Sequence, residues 1–250
     1  TSEKERNMGN LRKKDLFIYG KIGSGKDILS NKIISKFPHH LLFRLSGTIK
    51  QIIMEQKNLT FDELEELKRT DSEIRNLHHT IGDYIGGDNT ANNRLKQLIN
   101  RTSFDMKNIS DVEWCPIVIN DIRTKENILT LFETINSDKY LKFREEYSYD
   151  KPSIIFLTRE SEEYQNKIKS NFHYTDEDCM KLPLFSQILK PYLQKEFEDN
   201  FDIYLIDNAD ITDFDDKDLW TVLSLQHKNF YFLTNVSVKT KANSIINNIF

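Results

Sequence analysis

The amino-acid sequence predicts an α/β protein, a three-layer α/β/α sandwich built on a five-stranded, mainly parallel sheet. Three observations predict this class. Five short apolar segments have the composition of buried strands, segments of helical character separate them, and a glycine-rich turn directly follows the first strand. Strands that alternate with helices pair in parallel, and right-handed crossovers place helices on both faces of the sheet. The 250 residues, 38% hydrophobic and 30% charged, are typical of a globular protein.

The predicted strands and helices alternate along most of the chain. The strands are expected at residues 16–19, 41–43, 117–119, 154–157 and 201–206. The helices are expected from Lys26 to near Pro38 and at residues 49–56, 61–69, 127–135, 184–198 and 213–225, followed by a terminal helix. Residues 230–233 indicate a further short strand before that terminal helix.

One connection is too long for a single crossover helix. It covers residues 44–116, between the second and third predicted strands, so we expect a helical insertion at about residues 46–110. The polar stretch over residues 70–100 inside it has helical character and is expected to break at Gly82 and at Gly86-Gly87.

The remaining segments differ in composition from the strands and helices. Residues 137–152 have the charge of a surface excursion, and residues 159–182 have the polar, irregular composition of a mobile lid. The polar segment 1–14 is expected to be a flexible N-terminus, and residues 15–250 are expected to form a single domain.

Charge and composition exclude several classes of function. The net charge of −4 disfavours a nucleic-acid-binding protein, and no apolar run approaches the roughly 18 residues that span a membrane. Cys115 and Cys179 lie far apart without the spacing of a metal or redox site, so a reducing compartment and a cytoplasmic location are expected.

A phosphate-binding loop is the strongest motif in the sequence. The segment Gly20-Lys-Ile-Gly-Ser-Gly-Lys-Asp27 has the glycine and lysine spacing of a Walker A motif and lies between a predicted strand and a predicted helix. Its glycines allow backbone N–H groups to surround an anion, and the helix that follows adds its positive end. We therefore expect ATP to bind here with Mg²⁺, on Gly20, Gly23, Ser24, Gly25, Lys26 and Asp27. Asp27 stands where most such loops have the Ser or Thr that binds the metal, and its carboxylate is expected to hold Mg²⁺ through water.

The sequence resembles the deoxynucleoside monophosphate kinases of tailed bacteriophages, which belong to the P-loop kinases. Their phosphate loop characteristically ends Ser-Gly-Lys-Asp, as in Ser24-Gly-Lys-Asp27, although Ile28 replaces a Thr that often follows. Further segments match in the same order over about residues 15–225: Leu45-Ser-Gly-Thr-Ile-Lys50, Arg75-x-Leu77 followed by Ile81-Gly82-Asp83, Val118-Ile-Asn-Asp121-Ile-Arg123, and His173-x-Thr175-Asp176. His78, His79 and Tyr84 depart from the family's pattern.

The resemblance implies transfer of the ATP γ-phosphate to a (deoxy)nucleoside 5′-monophosphate. Lys26, Arg123, Asp121 and Arg159 are expected to be catalytic, and Lys50, Arg69, Arg75 and Arg123 to bind the acceptor. Arg123 and Asp121 follow or end a predicted strand, where α/β sheets place their ligands. The family also implies a homodimer, a location in the host cytoplasm if the protein is viral, and ATP and a nucleoside monophosphate as partners, with no nucleic-acid polymer and no membrane.

Alternatives remain open at this stage. Arg123 could pair with Glu126 at the surface, Asp121 could cap a helix, and Lys50 and Arg75 could be ordinary solvated charges. The whole protein could phosphorylate another small phosphorylated metabolite, or it could be a nucleotide-binding regulator without kinase activity.

Overall fold

Six parallel strands form one sheet in the computed structural model, which describes residues 12–20, 23–84, 87–158, 189–208, 217–233 and 236–250. The strand order is β2-β3-β1-β4-β5-β6, and every pairing of neighbours is parallel. The strands are β1 Leu16–Gly20, β2 Leu41–Phe43, β3 Ile117–Ile122, β4 Ser153–Thr158, β5 Asp202–Asp207 and β6 Phe230–Leu233.

The strand count corrects the prediction of five strands. The segment at 230–233 is a full member of the sheet and pairs with β5, where the ring of Tyr231 stacks on that of Tyr204 with centroids 4.7 Å apart. The expectation of a mainly parallel sheet was also too weak, because every strand pair within the described part of the chain is parallel. Only three residues separate the end of α8 at Gln226 from the start of β6 at Phe230, so a short connection returns the chain to the sheet edge.

Helices cover both faces of this sheet. They are α1 Lys26–Lys36, α2 Gly47–Lys57, α3 Phe61–Thr70, α4 Ser72–Tyr84, α5 Gly87–Ile99, α6 Lys125–Ile135, α7 Asp138–Glu146, α8 Lys217–Gln226 and α9 Val238–Ile249. Successive residues of a strand point to opposite faces. Phe17 accordingly joins the apolar cluster with α5 and α6, whereas Leu16 and Ile18 join the cluster with α1 and α9. The arrangement is consistent with a three-layer sandwich.

Four helices, α2 to α5, lie between β2 and β3, where the long connection predicted an insertion. Ile53, Leu64 and Ile74 form a small apolar cluster of its own there. The predicted break at Gly82 is wrong, because α4 continues through that residue. Gly82 instead allows close packing, since a Cβ at this position would lie 3.3 Å from the Cδ1 atom of Ile49.

The segment 137–152 contributes two tyrosines to the packed core, which corrects the prediction of a surface excursion in part, since most of its other side chains are exposed or half-buried. It contains α7, on which the Tyr140 side chain is fully buried, and Tyr149 is only 6% exposed. Because charged residues surround these tyrosines in the sequence, the sequence pattern did not indicate that they are buried. The packed part also begins before residue 15, since Lys14 is buried and its Nζ donates to the carbonyl of Ile249.

The helix predicted at residues 184–198 is wrong over residues 190–198. Leu189 is helical, but the residues after it contain two 3₁₀ turns, Lys190–Tyr192 and Lys195–Phe197. Pro191 has no N–H to donate, which favours a short turn over a continuous α-helix. Residues 184–188 and the predicted lid at 159–182 lie outside the described residues. None of the helices in the described ranges is long and apolar enough to cross a membrane.

A buried ion pair between Asp15 and Arg101 stabilises the amino-terminal edge of the sheet. Asp15 precedes β1 and is fully buried, and its carboxylate receives two hydrogen bonds from the guanidinium of Arg101, at 2.7 and 2.8 Å. The hydroxyl of Tyr140 and the backbone N–H of Ile117 donate to the same carboxylate at 2.8 and 2.9 Å. Both oxygens of Asp15 therefore have charged and neutral donors, as a buried carboxylate requires.

Candidate functional site

The phosphate loop connects the end of β1 to the start of α1 at the carboxyl-terminal edge of the sheet. Gly23 and Gly25 have positive φ angles of 73° and 99°, a conformation that favours glycine. At Gly20 an added Cβ would lie 2.5 Å from the Oγ atom of Ser24 and 2.8 Å from the carbonyl oxygen of Leu157. These residues fit the loop that the sequence predicted, while residues 21 and 22 lie outside the described part.

Lys26 is buried at the centre of this loop. Its ammonium donates a hydrogen bond of 2.6 Å to the carbonyl oxygen of Gly20, and the residue is 7% exposed. Burial, followed by the neighbouring charge of Arg123, lowers the pKa of Lys26 to about 7, while the carboxylates of Asp27 and Asp121 oppose this shift. A buried amine in cationic surroundings is electrostatically favourable for an incoming anion.

Asp27 lies in the first turn of α1 and is fixed at the end of β3. Its Oδ1 atom accepts a hydrogen bond of 3.0 Å from the Asn120 amide and lies 3.2 Å from the guanidinium of Arg44. The side chain is 57% exposed. Mg²⁺ in nucleotide sites is commonly held by one or two carboxylates together with phosphate oxygens and water. The accessible carboxylate of Asp27 beside the phosphate loop fits that kind of site, and the described residues contain no cluster of three His, Cys, Asp or Glu for a metal.

Asp121 is buried at the end of β3 and holds the turn between β2 and α2. Its carboxylate accepts hydrogen bonds from the backbone N–H groups of Leu45 and Ser46, at 2.7 and 3.0 Å, and from the Ser46 hydroxyl at 2.9 Å. Burial alone would raise the pKa of Asp121, but these hydrogen bonds and the charge of Arg123 hold it below its ordinary value. Asp121 is therefore a carboxylate that positions the β2–α2 turn.

Arg94 secures the same turn from the side of α5. Its Nε donates to the carbonyl oxygen of Arg44 at 2.7 Å, and its guanidinium pairs with Asp105 at 2.7 Å. Gly47 leaves room for this arginine, since a Cβ there would lie 3.1 Å from the Nη2 atom. The turn that carries Arg44, and then α2 with Lys50, is thus clamped between β3 and α5.

Lysines from α2 and α3 approach the loop from the insertion. Lys50 is 4% exposed, and its Nζ lies 2.6 Å from the Oε1 atom of Glu65. Lys68 shares that carboxylate at 3.8 Å. Burial lowers the pKa of Lys50, and burial together with the charge of Lys50 lowers the pKa of Lys68 to about 8. One carboxylate therefore pairs with two ammonium groups, that of the buried Lys50 and that of the half-buried Lys68.

Arg123 extends from the end of β3 into this group of cations. Among the described residues it forms no ion pair, so the alternative pairing with Glu126 does not occur there, and its Nε atom is buried without a hydrogen-bond partner. The side-chain amide oxygen of Asn127 accepts hydrogen bonds of 3.5 and 3.4 Å from the backbone N–H groups of Arg123 and Thr124, which orients the loop.

His78 lies on α4 against the same cations. Burial, followed by the charges of Lys68, Arg123 and Lys50, lowers the pKa of His78 to about 3, so its imidazole is neutral at physiological pH. Its Nε2 atom is buried and has no hydrogen-bond partner. In the sequence His78 only departs from a family pattern, whereas in the structure it lies near the cations Lys50, Lys68 and Arg123.

The structure brings together most of the predicted site and adds residues that the sequence did not indicate. Lys26, Asp27, Lys50, Asp121 and Arg123 lie within one electrostatically coupled group. Arg75 is half-buried on α4, Arg69 is exposed at the end of α3, and Arg159 lies outside the described residues. The residues that sequence reasoning missed are Arg44, Glu65, Lys68, Asn120 and Asn208. Arg44 and Asn208 directly follow strands β2 and β5, and that position was the available signal.

The site as a whole carries a surplus of positive charge. Five basic side chains are coupled within it, namely Lys26, Arg44, Lys50, Lys68 and Arg123, and three carboxylates accompany them, those of Asp27, Glu65 and Asp121. Such a surplus in a partly buried site disfavours the ligand-free state and favours the binding of a multiply charged anion.

Comparisons with known proteins leave the family open. No protein-family model matches the chain, and no curated protein matches its sequence significantly. A solved structure described as "Crystal structure of a putative kinase from chloroflexus aurantiacus" is similar over 96% of this chain and 96% of that chain, at 11% sequence identity and a TM-score of 0.35. A similarity this remote transfers neither substrate nor mechanism, so the functional conclusion depends on the residues of the site.

Proposed function

We propose that this protein is an ATP-dependent kinase that transfers the γ-phosphate of ATP to a (deoxy)nucleoside 5′-monophosphate. One observation carries the proposal: surplus basic side chains converge on a phosphate loop at the carboxyl-terminal edge of a parallel sheet. ATP and a nucleoside monophosphate, bound with their phosphates facing each other, bring more negative charge than a single nucleotide does. Cations from both the loop and the insertion suit such a pair.

The donor side of the proposed reaction uses the loop itself. Lys26 would exchange its hydrogen bond with the Gly20 carbonyl for contacts with the β- and γ-phosphates, where it neutralises charge that develops during transfer. Asp27 would hold Mg²⁺ through water, and the metal would supply charge neutralisation between the phosphates. Arg44, paired with Asp27, would keep that carboxylate in place and add a positive charge beside it.

The acceptor side of the proposed reaction uses the helical insertion. Lys50 and Lys68 share one carboxylate, so an acceptor phosphate would find two ammonium groups that the protein only half neutralises. Arg123 is electrostatically coupled to Lys26 on the donor side and to Lys68 on the acceptor side, and its planar guanidinium would clamp the transferred or acceptor phosphate. Asp121 would act through the β2–α2 turn, which it holds with three hydrogen bonds.

A direct test measures ADP release in a coupled assay with Mg²⁺-ATP and each of the four deoxynucleoside monophosphates and four ribonucleoside monophosphates. We expect turnover with at least one of them, and we expect Arg123→Ala to lower kcat by about a hundredfold or more, because a charge-stabilising donor is lost. Lys142→Ala is a control, since Lys142 is an exposed cation on α7 outside the proposed site, and this variant is expected to retain most of the activity.

Two results would overturn the proposal. Folded protein that binds ATP but phosphorylates none of the eight nucleotides would not be a nucleotide kinase. A thermal-shift screen of other phosphorylated metabolites would then identify a different acceptor. Biological function that survives Lys26→Ala while ATP binding is lost would instead indicate a role without phosphoryl transfer.

A further inference from the structure

Asn208 stands at a junction of three elements next to the phosphate loop. It directly follows β5, and its backbone N–H donates to the carbonyl oxygen of Thr158 at the end of β4, at 2.8 Å. Its side-chain Nδ2 donates to the carbonyl oxygen of Ser24 in the loop at 2.7 Å, and its Oδ1 accepts from the N–H of Val238, the first residue of α9, at 2.9 Å. Asn208 thus joins the sheet through its backbone N–H, and the loop and the C-terminal helix through its side-chain amide.

The packing at this junction is close. An added Cβ at Gly25 would lie 2.8 Å from the Nδ2 atom of Asn208 and 3.6 Å from the Cβ atom of Val238. The backbone N–H of Val236 donates to the carbonyl oxygen of Asp207 at 3.1 Å, which ties the approach to α9 to the end of β5. The Asn208 amide therefore has little freedom to rotate, and both of its polar atoms have partners.

The contact with Ser24 fixes the orientation of a peptide unit. In a planar trans peptide the C=O of one residue and the N–H of the next point in opposite directions. Because Asn208 holds the Ser24 carbonyl toward β5 and α9, the N–H of Gly25 must point away from them, to the side on which the loop closes. Backbone N–H groups in that orientation are the donors by which such loops bind phosphate.

We infer that Asn208 is a positioning residue for the phosphate loop and couples the binding of the phosphates to the C-terminal helix α9. The inference rests on the proposed binding of ATP at this loop, although the residue and the coupling are separate from the identity of the acceptor. Ordering of the loop by a bound triphosphate would strengthen the Ser24–Asn208 contact, and the same amide would then hold the start of α9 more firmly. Helix α9 packs on α1 through Ile245 and Ile246, so both ends of this connection are fixed in the core.

The test compares two asparagines at opposite ends of β5, the half-buried Asn208 and the buried Asn229. Asn208→Ala removes the bridge, whereas Asn229→Ala removes a hydrogen bond of 2.9 Å from Asn229 to the carbonyl oxygen of Phe201, at the opposite end of β5. Titration of full-length protein with Mg²⁺-ATP and with inorganic tripolyphosphate, well below the melting temperature, should show about tenfold weaker binding of both ligands to Asn208→Ala. Asn229→Ala should lower thermal stability and leave both affinities unchanged.

Hydrogen exchange distinguishes failure of this inference from failure of the proposed function. In ligand-free protein, Asn208→Ala should speed exchange of the Val238 and Gly25 amides, and Asn229→Ala should not. Addition of Mg²⁺-ATP should slow exchange at Val238 in the wild type and have no effect there in Asn208→Ala.

Equal affinities and equal exchange in wild type and Asn208→Ala would overturn the inference. Absence of ATP binding to the wild type, with the exchange difference retained, would overturn the proposed function and the coupling but leave the positioning role.

Discussion

Two clusters of buried charge lie at opposite edges of the same sheet, and their charge balance differs. At the amino-terminal edge, Asp15 is matched by Arg101, and the hydroxyl of Tyr140 completes its hydrogen bonds. At the carboxyl-terminal edge, basic side chains around Lys26 and Arg123 outnumber the carboxylates. Matched buried charge fixes a structure, whereas a surplus of one sign is relieved when a counter-ion binds. The balance of charge, more than burial alone, therefore separates the structural cluster from the candidate binding site.

The largest expected effect tests the structural cluster. Asp15→Asn leaves the buried guanidinium of Arg101 without its counter-charge, so the free energy of unfolding should fall by about 3–5 kcal/mol in urea denaturation. ATP affinity of the folded protein should not change, because the substitution lies at the other edge of the sheet. Asp199→Asn is the control, since Asp199 pairs with Lys228 at the exposed surface and its loss should leave stability unchanged. Equal stability of the two variants would remove the distinction between the clusters.

The second effect tests the opposite edge. Lys26→Met should lower the rate of phosphoryl transfer by about a hundredfold or more, because a charge that stabilises the transferred group is lost. Its melting temperature should stay the same or rise, since the substitution removes a buried cation that lies near Arg123. Circular dichroism melting and the coupled assay measure the two quantities. A loss of stability as large as that of Asp15→Asn would show that Lys26 is a structural residue.

A third prediction follows from the lowered pKa of Lys26. Phosphate oxygens favour the charged amine, so binding of Mg²⁺-ATP at pH 8 should take up protons, up to about one per site. Calorimetric titrations in buffers of different ionisation enthalpy measure this uptake, and Lys26→Met should lack it. The unfolded chain holds this proton up to about its ordinary pKa of 10.5, and the folded chain only to about 7. The ligand-free protein should therefore gain stability from this group as pH rises from 7 to 10.5, and an identical profile in Lys26→Met would contradict the assignment.

The smallest expected effect concerns Glu65, the carboxylate that Lys50 and Lys68 share in the cationic site. Glu65→Gln removes this carboxylate. Because Glu65 keeps 25% of its side chain exposed, the ligand-free protein should lose about 1–2 kcal/mol of stability, less than Asp15→Asn loses. The added stabilisation by a nucleoside monophosphate should increase, because the ligand then supplies the missing negative charge. Thermal-shift titrations measure both, with the exposed neighbour Glu66→Gln as control. A smaller ligand-induced shift in Glu65→Gln would show that Glu65 itself helps to bind the acceptor.

Local sequence patterns were sufficient to predict the elements whose structure depends on neighbouring residues. The apolar runs that form β1 and β3, and the glycine-lysine loop after β1, were predictable because strand burial and loop geometry depend on neighbouring residues. The burial of Tyr140 was not predictable, because its partner Asp15 is distant in sequence and the residues around it are charged. The short turns that replace the predicted helix at 190–198 include Pro191, whose missing N–H was a signal in the sequence that the helix prediction overlooked.

The candidate site was predictable only where a residue's position next to a strand indicated its role. The rule that ligands gather beyond the carboxyl ends of parallel strands pointed to Arg123, and it applies equally to Arg44 and Asn208, which also follow strands directly. Lys68 and Glu65 could not be recognised, because they look like one face of a charged amphipathic helix until α3 is folded against α2. Their function depends on which helix each one faces, and the tertiary fold alone determines that.

The strand order also has a consequence for how this chain acquires its site during synthesis. Leu16 of β1 pairs with Val118 on one side and Ser153 on the other, so both neighbours of the central strand are made long after it. Contacts this distant in sequence form slowly, and Asn208 and Val238 join the phosphate loop later still. The loop is therefore synthesised before the strands and the helix that contact it, and it reaches its final geometry only after they have docked. A nucleotide could not template the early steps of folding, and it would stabilise the protein only once the late elements have docked.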